Sequence, residues 1–156
     1  MKNSYELYFA YGSNLLKKQI ERRCPSSITL CKASRENSRL CFPVRSIKRE
    51  NMGVASIKFE KGSIVEGVIY QLTLEDLENL DKYEGNGRRY RRKKIFVRLN
   101  NNSKKLVWSY IALTDSSNDY RPSENYLGLI IKGAKEHNLS KEYIKNLIKY
   151  AGSLDM

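Results

Sequence analysis

Polar and apolar positions along the chain follow two periods, one near two residues and one near 3.6. Tyr5 to Ala10 has the length and apolar content of a strand, and Tyr11-Gly12-Ser13-Asn14 breaks it as a turn. Leu15, Leu16 and Ile20 then mark a helix that ends near Cys24-Pro25, with Ser13 or Asn14 as its candidate cap. Ser26 to Val44 is strand-rich with a weak pattern, and Arg45 to Asn51 is polar and reads as a loop. Val54 to Phe59 and Ile64 to Leu72 read as paired strands around Lys61-Gly62. A helix follows over Thr73 to Gly85. Ile95, Val97 and Leu99 alternate on one face of a later strand, and Asn100 to Ser103 turns it toward a hairpin partner, Leu106 to Leu113. Two helices close the chain. Leu127, Ile130, Ile131 and Ala134 mark one over Ser123 to His137, and Ile144, Leu147, Ile148 and Ala151 mark the other, behind Ser140 as its cap. This order predicts an α+β fold: an antiparallel or mixed sheet, curled on itself, with helices packed against it.

Length and composition narrow the picture. At 156 residues, with no repeat and no linker-like shift, residues 1–156 are expected to form a single domain. No run of about 18 apolar residues occurs, and the apolar stretch Leu7 to Tyr11 is too short for a signal-peptide core, so a cytoplasmic protein is expected. Cys24, Cys31 and Cys41 form no Cys-x-x-Cys pair, which fits reduced thiols. The single histidine, His137, excludes multi-histidine metal sites within one chain and leaves any triad only one imidazole. It is expected at a solvent-exposed helix C-terminus, where partial positive charge is favourable. Proton transfer is therefore sought from a carboxylate.

The helix over Thr73 to Gly85 supplies one. Thr73 caps it, Glu75 and Asp76 occupy the first turn, and Leu74, Leu77 and Leu80 form its apolar face. Seven residues on from Leu77, Glu84 projects only about 20° from it, inside the apolar stripe. It also lies in the last turn, where the helix dipole opposes negative charge, before Gly85 ends the helix. Desolvation and dipole both raise a carboxyl pKa, which suits a proton shuttle near neutrality. The competing reading is a helix-end glutamate that swings to solvent or pairs with Arg88 or Arg89. Asp81, near the same stripe, is the rival acid, or a polar residue at the edge of the face. In the turn after the first strand, Gly12 permits unusual backbone angles and close ligand approach, and the N–H groups around Ser13 and Asn14 attract oxyanions. A plain turn with a helix cap explains the same residues.

Together these pieces resemble a known family. Leu7-Tyr8-Phe9-Ala10-Tyr11-Gly12-Ser13-Asn14-Leu15, then Gly67-Val68-Ile69-Tyr70, then Leu80-Asp81-Lys82-Tyr83-Glu84-Gly85, resemble the γ-glutamylcyclotransferases (γ-glutamylcyclotransferase-like or AIG2-like proteins). Tyr90 in Gly87-Arg88-Arg89-Tyr90 also matches, as does Tyr126 ahead of Gly133-Ala134-Lys135-Glu136. The match runs in order from about Tyr5 to about Asn138. It implies a small mixed β-barrel with flanking helices. It further implies conversion of a γ-glutamyl amide to 5-oxoproline with release of the free amine, without metal or cofactor. The chain is then expected to act on a small γ-glutamyl substrate as a monomer or homodimer, with no membrane partner. The Arg- and Lys-rich loop between Cys41 and Val54, and the end of the chain soon after Tyr150, depart from better-known members and leave the leaving group open.

In such a reaction the substrate's α-amine attacks its own γ-carbonyl, so no protein nucleophile is needed. Glu84 is expected to take a proton from the α-ammonium and then pass one to the leaving amine. Backbone N–H groups of Gly12, Ser13, Asn14 and Leu15 would hold a substrate carboxylate or carbonyl oxygen. Tyr90 would point its hydroxyl into the pocket, with Arg89 and Arg91 on the opposite face of the strand. Tyr126 either closes the pocket or packs in the core on Ile130, and Tyr11 either lines the floor or packs at the strand end. The rival class is a basic module that binds nucleic acid or another polyanion. It rests on the net charge of +12 (29 Lys and Arg against 17 Asp and Glu) and on Arg88-Arg89-Tyr90-Arg91-Arg92-Lys93-Lys94. No recognised nucleic-acid motif accompanies that stripe, which also reads as a solvated edge strand.

Overall fold

A computed structural model describes residues 4–46, 52–114 and 117–153. Five strands, β1 (Tyr5–Ala10), β2 (Ile28–Ser46), β3 (Met52–Thr73), β4 (Tyr90–Leu99) and β5 (Lys104–Ala112), close into a barrel in the order β1-β3-β2-β4-β5. All neighbours are antiparallel except β1 and β5, which meet in parallel at Tyr8 and Trp108 and close the ring. The α+β expectation and the mixed barrel both hold. Helix α1 (Lys17–Arg23) follows β1, α2 (Leu74–Glu84) follows β3, and α3 (Glu124–Glu136) and α4 (Lys141–Ser153) come last. Phe9, Val68, Leu72, Leu77, Leu80, Leu127 and Ile130 lie in one buried cluster, so barrel and helices share a core.

The main correction concerns the paired strands around Lys61-Gly62. Val54 to Phe59 and Ile64 to Leu72 do not pair with each other. Both belong to the continuous β3, and both pair with β2: Ser38 lies opposite Phe59, and Glu36 opposite Ile64. The four residues from Glu60 to Ser63 bulge out opposite Asn37. Gly62 adopts φ +86 there, and its N–H donates to Asn37 Oδ1 at 3.0 Å. A local turn signal thus marks a bulge in a long strand, because the pairing partner lies upstream. Arg45 and Ser46 are strand rather than loop, and the remainder of that polar stretch lies outside the described residues.

Smaller differences have equally local causes. Leu15 sits in a single 3-10 turn, Ser13–Leu15, and α1 begins only at Lys17; neither Ser13 nor Asn14 caps it, because both side chains are engaged elsewhere. Leu74 is 38% exposed, so the apolar face of α2 is carried by Leu77 and Leu80. The Ser140 hydroxyl accepts from Tyr143 N–H at 3.2 Å, as expected of a cap. His137 is not solvent-exposed: its side chain is 8% exposed. Its Nε2 lies 2.7 Å from the Leu15 carbonyl oxygen and 3.0 Å from the Tyr70 hydroxyl. It ties the end of α3 to the turn after β1. Gly133 brings α3 against the same turn, since a Cβ there would lie 2.6 Å from Leu15 Cβ.

Candidate active site

The site lies where the end of β1, the end of α2 and the start of α3 converge. Helix α2 places its acid by capping at both ends. Thr73 Oγ1 accepts from Asp76 N–H at 3.2 Å, and Gly85 stops the helix in the left-handed region at φ +67. The N–H groups of Gly85 and Asn86 return to the carbonyls of Lys82 at 3.3 Å and Asp81 at 2.9 Å, the Schellman pattern. Glu84 is therefore the last helical residue, and its side chain leaves the helix toward the cleft.

That cleft encloses about 550 Å³ and is lined by Tyr8, Tyr11, Gly12, Ser13 and Asn14 from β1 and its turn, by Arg23 from α1, and by Val54 and Ala55 from β3. Glu84, Arg88, Arg89, Tyr90, Tyr110 and Tyr126 complete most of the wall. Glu84 is at its floor, with its side chain 20% exposed. Asn14 Nδ2 donates to Glu84 Oε1 at 3.2 Å, and Arg23 Nη1 lies 4.0 Å from the same oxygen. Burial pushes the Glu84 carboxyl above its ordinary value, while the Arg23 charge and the Asn14 hydrogen bond pull against that rise. Glu84 neither swings out to solvent nor pairs with Arg88 or Arg89; its cation is Arg23.

The other expected residues sort by chemistry. Tyr11 is buried and donates to the Tyr110 carbonyl. Tyr90 lines the cleft but gives its hydroxyl proton to the Ala55 carbonyl at 2.7 Å, and the Tyr126 hydroxyl accepts from Ala55 N–H at 3.0 Å. Two tyrosines thus satisfy both backbone groups of Ala55, which stands within an irregularity of the β2–β3 ladder, between the Cys41–Ser56 and Val44–Val54 pairs. Tyr126 is at once buried and part of the wall, so the two readings of it are not exclusive. Gly12 has φ −106, open to any residue, and an added Cβ would meet Ala55 Cβ at 3.5 Å and the Tyr126 hydroxyl at 3.6 Å. Leu15 is fully buried beneath the cleft, and its N–H donates to the Gly12 carbonyl at 3.0 Å. It supports the turn and does not line the cavity.

Asp81 is held by Arg92 Nε at 2.8 Å and by the Tyr110 hydroxyl at 2.6 Å, outside the cleft lining. Arg89 precedes β4, so strand alternation does not reach it, and it joins Arg88 at the cleft mouth. Arg92 and Lys94 instead lie over the Trp108 ring, at 4.3 and 5.1 Å. No cysteine lines the cleft, and burial pushes the Cys24 thiol up to about 12. Tyr8 and Arg23 were missed from sequence. Tyr8, Phe9 and Ala10 are all buried, so alternation does not reveal which faces the cleft, and Arg22-Arg23 looks like the ordinary basic end of a helix.

The fold and cleft define a small barrel enzyme built around one desolvated carboxylate. The AIG2-like family model matches residues 64–147. The gamma-glutamylcyclotransferases of Mus musculus and Homo sapiens are each 33% identical over 145 residues, which span 90% of this chain and 76% of theirs. A solved gamma-glutamyl cyclotransferase superposes with a TM-score of 0.82 at 30% identity, covering 92% of this chain and 86% of that one. The chain belongs to the γ-glutamylcyclotransferase family and is an enzyme of that type.

Proposed function

We propose that this enzyme converts a small γ-glutamyl amide to 5-oxoproline and the free amine, with Glu84 as general base and then general acid. The observation that carries this reading is the Glu84 carboxyl. It is desolvated at the floor of the cleft, has a raised pKa, and is held by Asn14 from the Tyr-Gly-Ser-Asn turn. A base needs to be near its acceptor proton and to titrate near the working pH, and this group is tuned in that direction. Ring closure is intramolecular, so the protein's main contribution is to fold the substrate into a reactive shape, worth at most roughly 7–11 kcal/mol. The backbone at Gly12, Ser13 and Asn14 would hold the γ-glutamyl end, with Tyr11, Tyr90 and Tyr126 as walls. Arg88 and Arg89 at the mouth suit a carboxylate on the substrate.

The enzyme is proposed to act as a single domain. The three unpaired cysteines favour a reducing, cytoplasmic setting, and no helix among the described residues is long and apolar enough to cross a membrane. The test is 5-oxoproline release from a panel of γ-glutamyl amides. Glu84→Gln should fold normally and lose at least about 10²-fold in kcat; near-normal turnover would sink the assignment. Polyanion binding through Arg88 to Lys94 is distinguished by salt. It would weaken steeply as salt rises, whereas turnover of a small substrate would change little.

A further inference from the structure

Tyr8, Tyr11, Tyr90, Tyr110 and Tyr126 are all buried around the cleft. Three give their hydroxyl protons to protein acceptors: Tyr11 to the Tyr110 carbonyl, Tyr90 to the Ala55 carbonyl, and Tyr110 to Asp81 Oδ1. Tyr126 is engaged with Ala55 N–H. Tyr8 differs. It is 4% exposed, its oxygen accepts from Asn14 Nδ2 at 3.0 Å, and its hydroxyl proton meets no acceptor among the described residues. The Tyr8 hydroxyl, beside the proposed base, thus keeps a proton that it can donate to a group arriving with the substrate.

The orientation of Asn14 is determined by its neighbours. Arg23 Nη1 at 3.0 Å and Gln19 Nε2 at 3.1 Å both donate to Asn14 Oδ1, and neither nitrogen can accept. The amide oxygen must face them, so the NH₂ faces the cleft. One of its hydrogens reaches Tyr8 and the other reaches Glu84 Oε1 at 3.2 Å. The Tyr8 and Glu84 oxygens thus stand on either side of one amide nitrogen, 3.0 and 3.2 Å from it, with a gap between them. That gap has a base on one side and a hydroxyl donor on the other.

We propose that Tyr8 is a catalytic residue, donating a hydrogen bond to the γ-carbonyl oxygen of the substrate as negative charge develops there. The proposal rests on the cyclisation reading above. As the α-nitrogen bonds to the γ-carbon, the carbonyl π pair moves onto oxygen, and the nitrogen gives its proton to Glu84. Tyr8 holds the oxyanion and keeps its own proton. When the oxyanion collapses, the bond to the leaving nitrogen breaks and Glu84 returns the proton to that nitrogen. Burial and the nearby Glu84 charge push the Tyr8 phenol well above its ordinary range, so it remains a donor throughout the neutral range.

The experiment compares the wild type, Tyr8→Phe and Glu84→Gln by 5-oxoproline release, with melting temperatures alongside. Loss of an oxyanion donor is expected to lower kcat about 10²–10³-fold, with KM within about threefold and little change in melting temperature. Replacing Tyr8 with 3-fluorotyrosine retains the donor and should keep kcat near or above that of the wild type. The assignment is overturned if Tyr8→Phe keeps kcat within twofold while Glu84→Gln is dead, or if its loss appears only in KM. It is also overturned if the 3-fluorotyrosine protein is as slow as Tyr8→Phe. A wild type that releases no 5-oxoproline overturns the cyclisation reading and this assignment together.

Discussion

Glu84 is tuned by two opposing influences, and each has a separate consequence. Burial raises its pKa, and Arg23, 4.0 Å away, lowers it. Replacing Arg23 with Met removes stabilisation of the charged form, so the pKa rises further. The acid limb of kcat/KM against pH should then move to higher pH; a limb that stays put or moves down contradicts the role given to Arg23. The same shift bears on stability. The folded state holds the Glu84 proton more tightly than the unfolded chain does. Stability is therefore lost as pH rises from the unfolded carboxyl value through the folded one, and the ionised form is the less stable. Glu84→Gln should accordingly melt above the wild type at pH 7, with the difference shrinking as pH falls through the carboxylate range. The raised pKa was legible in the helical spacing from Leu77. Arg23 was not, because its partner Asn14 is nine positions away across a 3-10 turn that interrupts the expected helix.

At the level of elements, the site depends on how closely β1 can approach β3. A Cβ on Gly67 would lie 2.2 Å from the Ala10 carbonyl oxygen and 2.9 Å from the Phe9 ring. Ala10 is the last residue of β1 and leads directly into the turn that carries Gly12, Ser13 and Asn14. Gly67→Ala should therefore cost about 2 kcal/mol or more in denaturant unfolding and lower turnover in whatever protein remains folded. A stable, fully active variant would show that the approach is not required. The boundaries of the last three helices were readable because caps are local: Thr73, Gly85, Ser123 and Ser140 each act within a few residues. Strand partners were not readable in the same way. The Lys61-Gly62 signal was real, but it marks a bulge, since β3 pairs with a strand about 25 residues upstream and not with its own continuation.

Across the whole molecule the net charge is +12, and part of it lies at the cleft. Arg23, Lys82, Arg88 and Arg89 line the cleft, with Glu84 as its one carboxylate among the described residues. Fields focused in a cleft draw in anionic substrates, and salt screens them over about 8–10 Å. Replacing Arg88 and Arg89 together with Ala should raise KM several-fold for substrates with a carboxylate on the leaving group. It should leave kcat close to normal and reduce the dependence of KM on salt. An unchanged KM would assign these arginines to the solvated surface. The rest of the basic stripe is partly occupied, since Arg92 is bound to Asp81 and stacked on Trp108.

The sequence by itself determined the fold class, the four helices and the ends of the last three, the turn after β1 and the glutamate on the apolar face of α2. These depend on periodicity and capping, which act within a turn or two of helix. Only the tertiary structure decided that Glu84 meets Asn14 and Arg23, that Leu15 lies beneath the cleft and not in it, that His137 clamps the end of α3 to the turn after β1, and that Tyr8 accepts from Asn14 while no described residue takes its hydroxyl proton. Each of these depends on which residues from distant segments are brought within about 3–4 Å, and on which donors and acceptors remain once the backbone and the neighbouring side chains have taken theirs.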